Sequence, residues 1–173
     1  MKRPLVASLV AAGAFAVGGI ALAGTTQYRA DLRGSSEVPP VQTSGEASFK
    51  LKLSEDGQSA RYDLKIDEPL TDLFMAHLHM APPGVNGGIV VWLFPSPAPV
   101  PFPPPPPAIP GEFDGRLASG VITVDDLVGA LDNNWTGFVS ALEAGNIYVN
   151  VHTLANPGGE VRDQFHLHPG DND

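Results

Sequence analysis

From residue 27 onward, valine and isoleucine cluster with threonine, tyrosine and phenylalanine in short runs, separated by glycine, proline, asparagine and aspartate. Branched and aromatic side chains suit a pleated, half-buried surface, and the separating residues favour turns. This punctuation predicts an all-β, mostly antiparallel protein with little helix. The candidate strands are "QYRADLRG", "GEASFKLKLS", "SARYDLKID", "FMAHLHM", "GIVVWLF", "FDGRLASGVIT", "NIYVNVHT" and "EVRDQFHLH". So many short strands suit a sandwich or a barrel.

Two connections read as hairpins. "SEDGQS" carries an Asp-Gly turn between the second and third runs, and "LANPGG" joins the run ending at Thr153 to the one starting at Glu160. Two short helices are expected in one long crossover. "TVDDLVGAL" offers Thr123 as an N-cap with acidic residues in its first turn, and "GFVSALEAG" places Phe138 and Leu142 one helical turn apart before Gly145.

At the N-terminus, Lys2 and Arg3 precede an uncharged apolar run that closes on "ALA" at residue 23. That is the pattern of a secretory signal peptide over residues 1–23, leaving 24–173 as one domain exported to the periplasm or secreted, with no membrane span after cleavage. Residues 24–173 hold eight basic and nineteen acidic side chains, a formal charge of −11. Such a balance repels phosphate backbones and argues against nucleic acid as a partner. The chain has no cysteine, so its fold rests on core packing alone, and thiolate metal sites and thiol nucleophiles are excluded. Ten prolines lie between Pro95 and Pro110. They cannot donate to a sheet ladder and favour an extended path, read here as an excursion between two strands of one domain and a plausible contact surface for an extracellular or envelope protein.

The residues with chemical potential are histidines. Strand side chains alternate between faces, so His77 and His79 project together while Ala76, Leu78 and Met80 project to the other side. In "NIYVNVHT" the same alternation sets Tyr148, Asn150 and His152 opposite Ile147, Val149 and Val151. If these strands are neighbours, three imidazoles converge, a donor set suited to copper or zinc and unsuited to calcium or magnesium, with copper ahead in the affinity order. Nitrogens sharing one ion should lie roughly 3–4 Å apart. Tyr148 and Asn150 are candidate supports beside the ligands. Glu160 is either a carboxylate that accepts a ring proton or the partner of Arg162 in a cross-strand ion pair. His166 and His168 near the C-terminus extend the site, form a separate weak metal-capture patch or decorate a frayed end. The loop "APPGVNGG", rich in glycine and proline, is expected to curl beside the pair at 77 and 79. No Gly-x-Ser-x-Gly elbow and no dinucleotide or phosphate-loop glycine signature is present.

Four stretches, "YRADLRGSSEVPPVQTSGEASFKL", "AHLHMAPPGVNGGIVVWLF", "GRLASGVITVDDLVGAL" and "AGNIYVNVHTLANPGGEVRDQF", together resemble the CHRD domain, a family named after chordin and widespread in bacterial exported proteins. The resemblance runs from about Tyr28 to Phe165. It implies an immunoglobulin-like β-sandwich or barrel with a distant likeness to copper/zinc superoxide dismutases, whose copper site also begins on a His-x-His strand. Carried over, His77 and His79 match that strand, and His152 belongs to the second histidine block. Counterparts of the dismutase bridging histidine and zinc-loop ligands are not evident, so the resemblance implies copper without zinc, with superoxide as the small ligand of a dismutase-like activity. It equally implies a noncatalytic extracellular binding module. Asp163 departs from the family's usual glycine, and the proline tract is longer than the usual connection.

Overall fold

The computed structural model describes residues 26–96 and 105–168. The expected signal peptide, the centre of the proline tract and the last five residues lie outside that range. The alternating runs become strands β1 (Gln27–Arg33), β2 (Glu46–Leu53), β3 (Ala60–Thr71), β4 (Leu73–Met80), β5 (Gly88–Phe94), β6 (Glu112–Ile122) and β7 (Ile147–Thr153). The last run divides into β8 (Val161–Gln164) and β9 (His166–His168) at Phe165, whose side chain enters the core while its N–H still donates to Ile147 O at 3.0 Å. All pairings are antiparallel, in the order β5-β4-β7-β8-β1-β2-β3-β6, with β9 also on β1. The end strands β5 and β6 approach one another without a ladder, giving a nearly closed barrel.

Residues 123–131 form two 3-10 turns in place of the first expected helix. Thr123 is the N-cap, as expected, and forms a capping box with Asp126, but the turn ends at Leu127, which bridges Val91, while the Val128 N–H donates to Val90 O at 2.9 Å. The segment therefore covers the edge of β5, and those edge contacts hold its backbone extended where a helix would continue. The second helix, α1 (Trp135–Glu143), forms, capped by Asn134, whose side chain accepts from the Gly137 N–H at 2.9 Å. It buries Trp135, Phe138 and Leu142.

The interior is filled by the inward residues of every long strand, among them Leu32, Phe49, Leu64, Ile66, Leu78 and Val149, all fully buried. The proline tract leaves β5 and returns at its far end onto β4: the Ile109 N–H donates to Leu73 O at 2.8 Å, and the Gly111 N–H donates to the Asp72 carboxylate at 2.8 Å. Both ends of the tract thus join strands of the same sheet.

Phe49 anchors the core, lying parallel to Tyr62 with ring centroids 5.7 Å apart and meeting Phe165 edge-on at 5.2 Å. Replacing it with alanine loses apolar burial and leaves a cavity that rigid ladders cannot collapse. Phe49→Ala is expected to destabilise the fold by about 3–5 kcal/mol, read as a lower urea midpoint at unchanged denaturant slope.

Candidate metal centre

β4 lies between β5 and β7, and nearly all of β4 and all of β7 are buried. One face of this pair, with Ala76, Leu78, Val149 and Val151, belongs to the barrel core. The other face carries Met75, His77 and His79 against His152, Asn150 and Tyr148 in direct register. His152 is therefore one pair removed from His77 on the same face, close enough for imidazoles to meet diagonally. The His77 Nδ1 and His152 Nε2 atoms are 3.1 Å apart. One ring nitrogen from each of His77, His79 and His152 lies within 4.8 Å of the others.

Burial on this outward face comes from loops that fold over it. The β4–β5 loop brings its Gly87 carbonyl to His79 Nδ1 at 3.1 Å, and the β7–β8 hairpin brings the Pro157 carbonyl to His152 Nδ1 at 3.0 Å. A carbonyl can only accept, so both Nδ1 atoms carry the proton and both Nε2 atoms present a lone pair. His152 Nε2 faces His77; His79 Nε2 is buried with no hydrogen-bond partner, as is the Nε2 of His77. Trp92, the cross-strand neighbour of His77 on β5, packs its ring edge-to-face at 4.2 Å. For His79 a backbone carbonyl fixes the tautomer and leaves Nε2 a buried lone pair without a donor, the arrangement that outer contacts impose on metal-binding imidazoles. An ion about 2.0–2.1 Å from each of two nitrogens holds them at most about 4.2 Å apart. The His77–His152 pair, at 3.1 Å, meets this condition, whereas the 4.8 Å within which all three nitrogens lie exceeds it.

Of the expected supports, Tyr148 has a direct part. Its ring stacks on His79 with centroids 4.9 Å apart and 7° between planes, and its hydroxyl accepts from the Gly87 N–H at 3.0 Å. Gly87 has no alternative: a Cβ there would run into the Met80 carbonyl. The other side of Tyr148 is covered by the Arg162 guanidinium, 3.7 Å from the ring centroid, which donates to Asn86 Oδ1 at 2.8 Å and Val85 O at 3.1 Å. Asn150 touches the cluster only through the register; its amide donates to Glu37 Oε1 at 2.8 Å. Gly159 makes room for that pair, since a Cβ would strike both side chains.

Glu160 meets neither expectation. Its carboxylate accepts from Thr43, Thr153 and Asn156, so it pins loops together and reaches neither a histidine nor Arg162. The backbone carbonyls of Gly87 and Pro157 hold the ring protons in its place. His166 and His168 sit apart from the cluster, on β9 beside β1, with His166 Nε2 3.9 Å from the Asp163 carboxylate. Residues that sequence reasoning passed over are Glu37, whose surroundings "SSEVPP" carry no periodic signal, and Trp92, which read only as an apolar strand residue.

Burial dominates the protonation of the site. Desolvation, with the neighbouring His152 and His79 adding to it, lowers His77 to about 2. Desolvation lowers His79 and His152 to about 4, opposed in each by the carbonyl it bonds. All three are neutral at pH 7, as ligands must be. Desolvation raises Glu37 to about 7 against the pull of Arg162.

A nearly closed antiparallel barrel with three neutral, buried imidazoles on the outward face of two neighbouring strands defines an all-β domain with a candidate trihistidine metal centre. Residues 28–165 match the CHRD domain, and the chain belongs to that family. No curated protein and no solved structure matches the chain.

The shifts fix a pH dependence for the metal-free protein. The unfolded chain takes up protons on its histidines below pH 6.5, whereas the folded chain does so only near 4 and 2. Stability therefore falls as pH drops from 6.5, by at most about 1.4 kcal/mol per pH unit per imidazole. Glu37 opposes this, because its folded value lies above the ordinary one and its contribution is lost as pH rises from 4.5 to 7. Three groups outweigh one, so the urea midpoint is expected to drop between pH 6.5 and 5, and to drop less in His79→Gln. An equal drop in both proteins would contradict the burial of His79.

Proposed function

We propose that this domain holds one transition-metal ion, copper in preference to zinc, through His77, His79 and His152, and does so outside the cytoplasm. The carrying observation is the set of three buried ring nitrogens within 4.8 Å, two of them fixed as lone pairs by backbone carbonyls. An all-imidazole set favours copper by the affinity order. Glu37 and Glu160 are both engaged elsewhere, so no carboxylate ligand is supplied. His79 and His152 would each bind through Nε2, and His77 through the nitrogen it turns toward them.

Bound copper would supply one-electron redox chemistry, and superoxide is the small ligand whose dismutation that chemistry supports. The chain's own residues contribute neutral donors, a stacked Tyr148 that fixes the plane of His79, and walls that exclude water.

A second reading has its own observation. The His77 Nδ1–H can donate to His152 Nε2 at 3.1 Å, so two of the three rings satisfy one another without an ion. The cluster then pins β4 to β7 in a noncatalytic extracellular module whose protein partner meets another surface, the proline tract among them.

Calorimetric titration of the metal-free protein with Cu(II) and Zn(II) separates the two. One copper per chain, bound tighter than zinc and weakened in His79→Ala by more than the 10–100-fold typical of outer-contact losses, supports the metal site. Equal affinity in wild type and variant rules it out and leaves the pin. Superoxide loss catalysed by the copper-loaded wild type and not by His79→Ala would support dismutation; loss at the background rate would confine the domain to binding.

A further inference from the structure

Apart from Lys2 and Arg3, the chain has eight lysines and arginines, and seven of them stand on β1, β2, β3 and β6: Arg29, Arg33, Lys50, Lys52, Arg61, Lys65 and Arg116. The eighth, Arg162, is buried. On β1 to β3 the inward positions are apolar, so these cations share the outward face of adjacent strands. Among the described residues, the accessible lysines and arginines therefore lie on one sheet surface. Part of that charge is neutralised in place. Arg33 pairs with Glu46 at 3.1 Å, Lys65 with Asp67 at 2.6 Å and Arg116 with Asp63 at 2.7 Å.

Lys50, Lys52 and Arg61 make no salt bridge among the described residues. The ladder sets Lys52 directly opposite Arg61, and Lys50, two residues from Lys52 on the same face, opposite Asp63, whose carboxylate is held by Arg116. These three line a depression of about 440 Å³ with Gln27, Asp63 and Ser119. β9 continues the surface, aligning His168 with Gln27 and His166 with Arg29. Strand spacing roots neighbouring side chains about 4.8 Å apart across strands and about 6.8 Å apart along them. The three cations without a salt bridge thus form a cluster with amide and hydroxyl groups at its border.

We infer that this face binds an acidic polysaccharide, with Lys50, Lys52 and Arg61 meeting its sulfate or carboxylate groups and Gln27 and Ser119 meeting sugar hydroxyls. Charge complementarity selects an anion, and the polar border selects a hydroxylated one. A membrane surface fits less well: the large apolar side chains exposed beside this cluster are Val121, at the β6 margin, and Leu167, on β9, two separate residues at opposite edges and no continuous apolar face to enter the acyl layer. The inference is independent of the histidine cluster, which lies on β4 and β7.

Fluorescence anisotropy with a labelled heparin oligosaccharide, repeated with a polygalacturonate oligomer and with phosphatidylglycerol vesicles, tests it. Wild type is expected to bind at least one of the two oligosaccharides, with affinity falling as salt rises. The combined variant Lys50→Ser, Lys52→Ser, Arg61→Ser should lose about ten-fold or more and show a shallower salt dependence. The control Arg33→Ser, Lys65→Ser, which removes paired cations, should lose no more than about three-fold. Urea midpoints matching wild type show that both variants fold. Undiminished binding by the triple variant, an equal loss in the control, no saccharide binding by wild type, or binding to vesicles alone would each overturn the proposal.

Discussion

The β4–β7 ladder is the constraint on which the candidate centre depends. Its register pairs Met75 with His152 and His77 with Asn150, so residues 75 apart in the chain become diagonal neighbours on one face. A slip of one residue would carry His152 into the barrel core and bring Val151 out. The core side of the same strands forbids that slip, since Ala76, Leu78, Val149 and Val151 are buried without polar groups. Apolar packing inside the barrel thus fixes the imidazoles outside it.

The second requirement is a cover. Outward faces of antiparallel barrels normally meet water, yet His77, His79 and His152 are 1%, 8% and 5% exposed. Loops that hydrogen-bond as they close supply the cover: Gly87 and Pro157 through their carbonyls, and Asn86 through Val38 and Arg162. The layered Arg162 guanidinium, Tyr148 ring and His79 ring tie the β4–β5 loop to β8 across the face. A single buried arginine in an acidic chain is well used here, because its guanidinium meets a ring face and two oxygens at once. The same closure that dries the imidazoles also raises the Glu37 carboxyl, so the neutral donors and the perturbed acid share one physical cause.

Charge is partitioned as firmly as polarity. The β4–β7 side holds neutral imidazoles under loops, while the β1–β2–β3–β6 side holds the accessible cations. Both follow from strand alternation, which gives each strand one inward and one outward set. Separate strands of one barrel therefore carry separate chemistry without sharing residues.

The sequence by itself determined the strands, both hairpins and the common face of His77 and His79, because alternation and Asp-Gly or Asn-Pro-Gly turns are local signals. It also carried the family, through motifs spread over residues 28–165. The division of the last run at Phe165 and the 3-10 turns at 123–131 were not legible, since core space and a strand edge decided them. Glu160 had a suitable place beside the hairpin, yet Thr43, 117 residues away, helped decide its partners. Only the tertiary structure brought His152 to His77 and chose backbone carbonyls over a carboxylate to hold the ring protons. Spacing along a strand says which way a side chain points, whereas which strand lies next to it is set by burying the whole apolar interior at once.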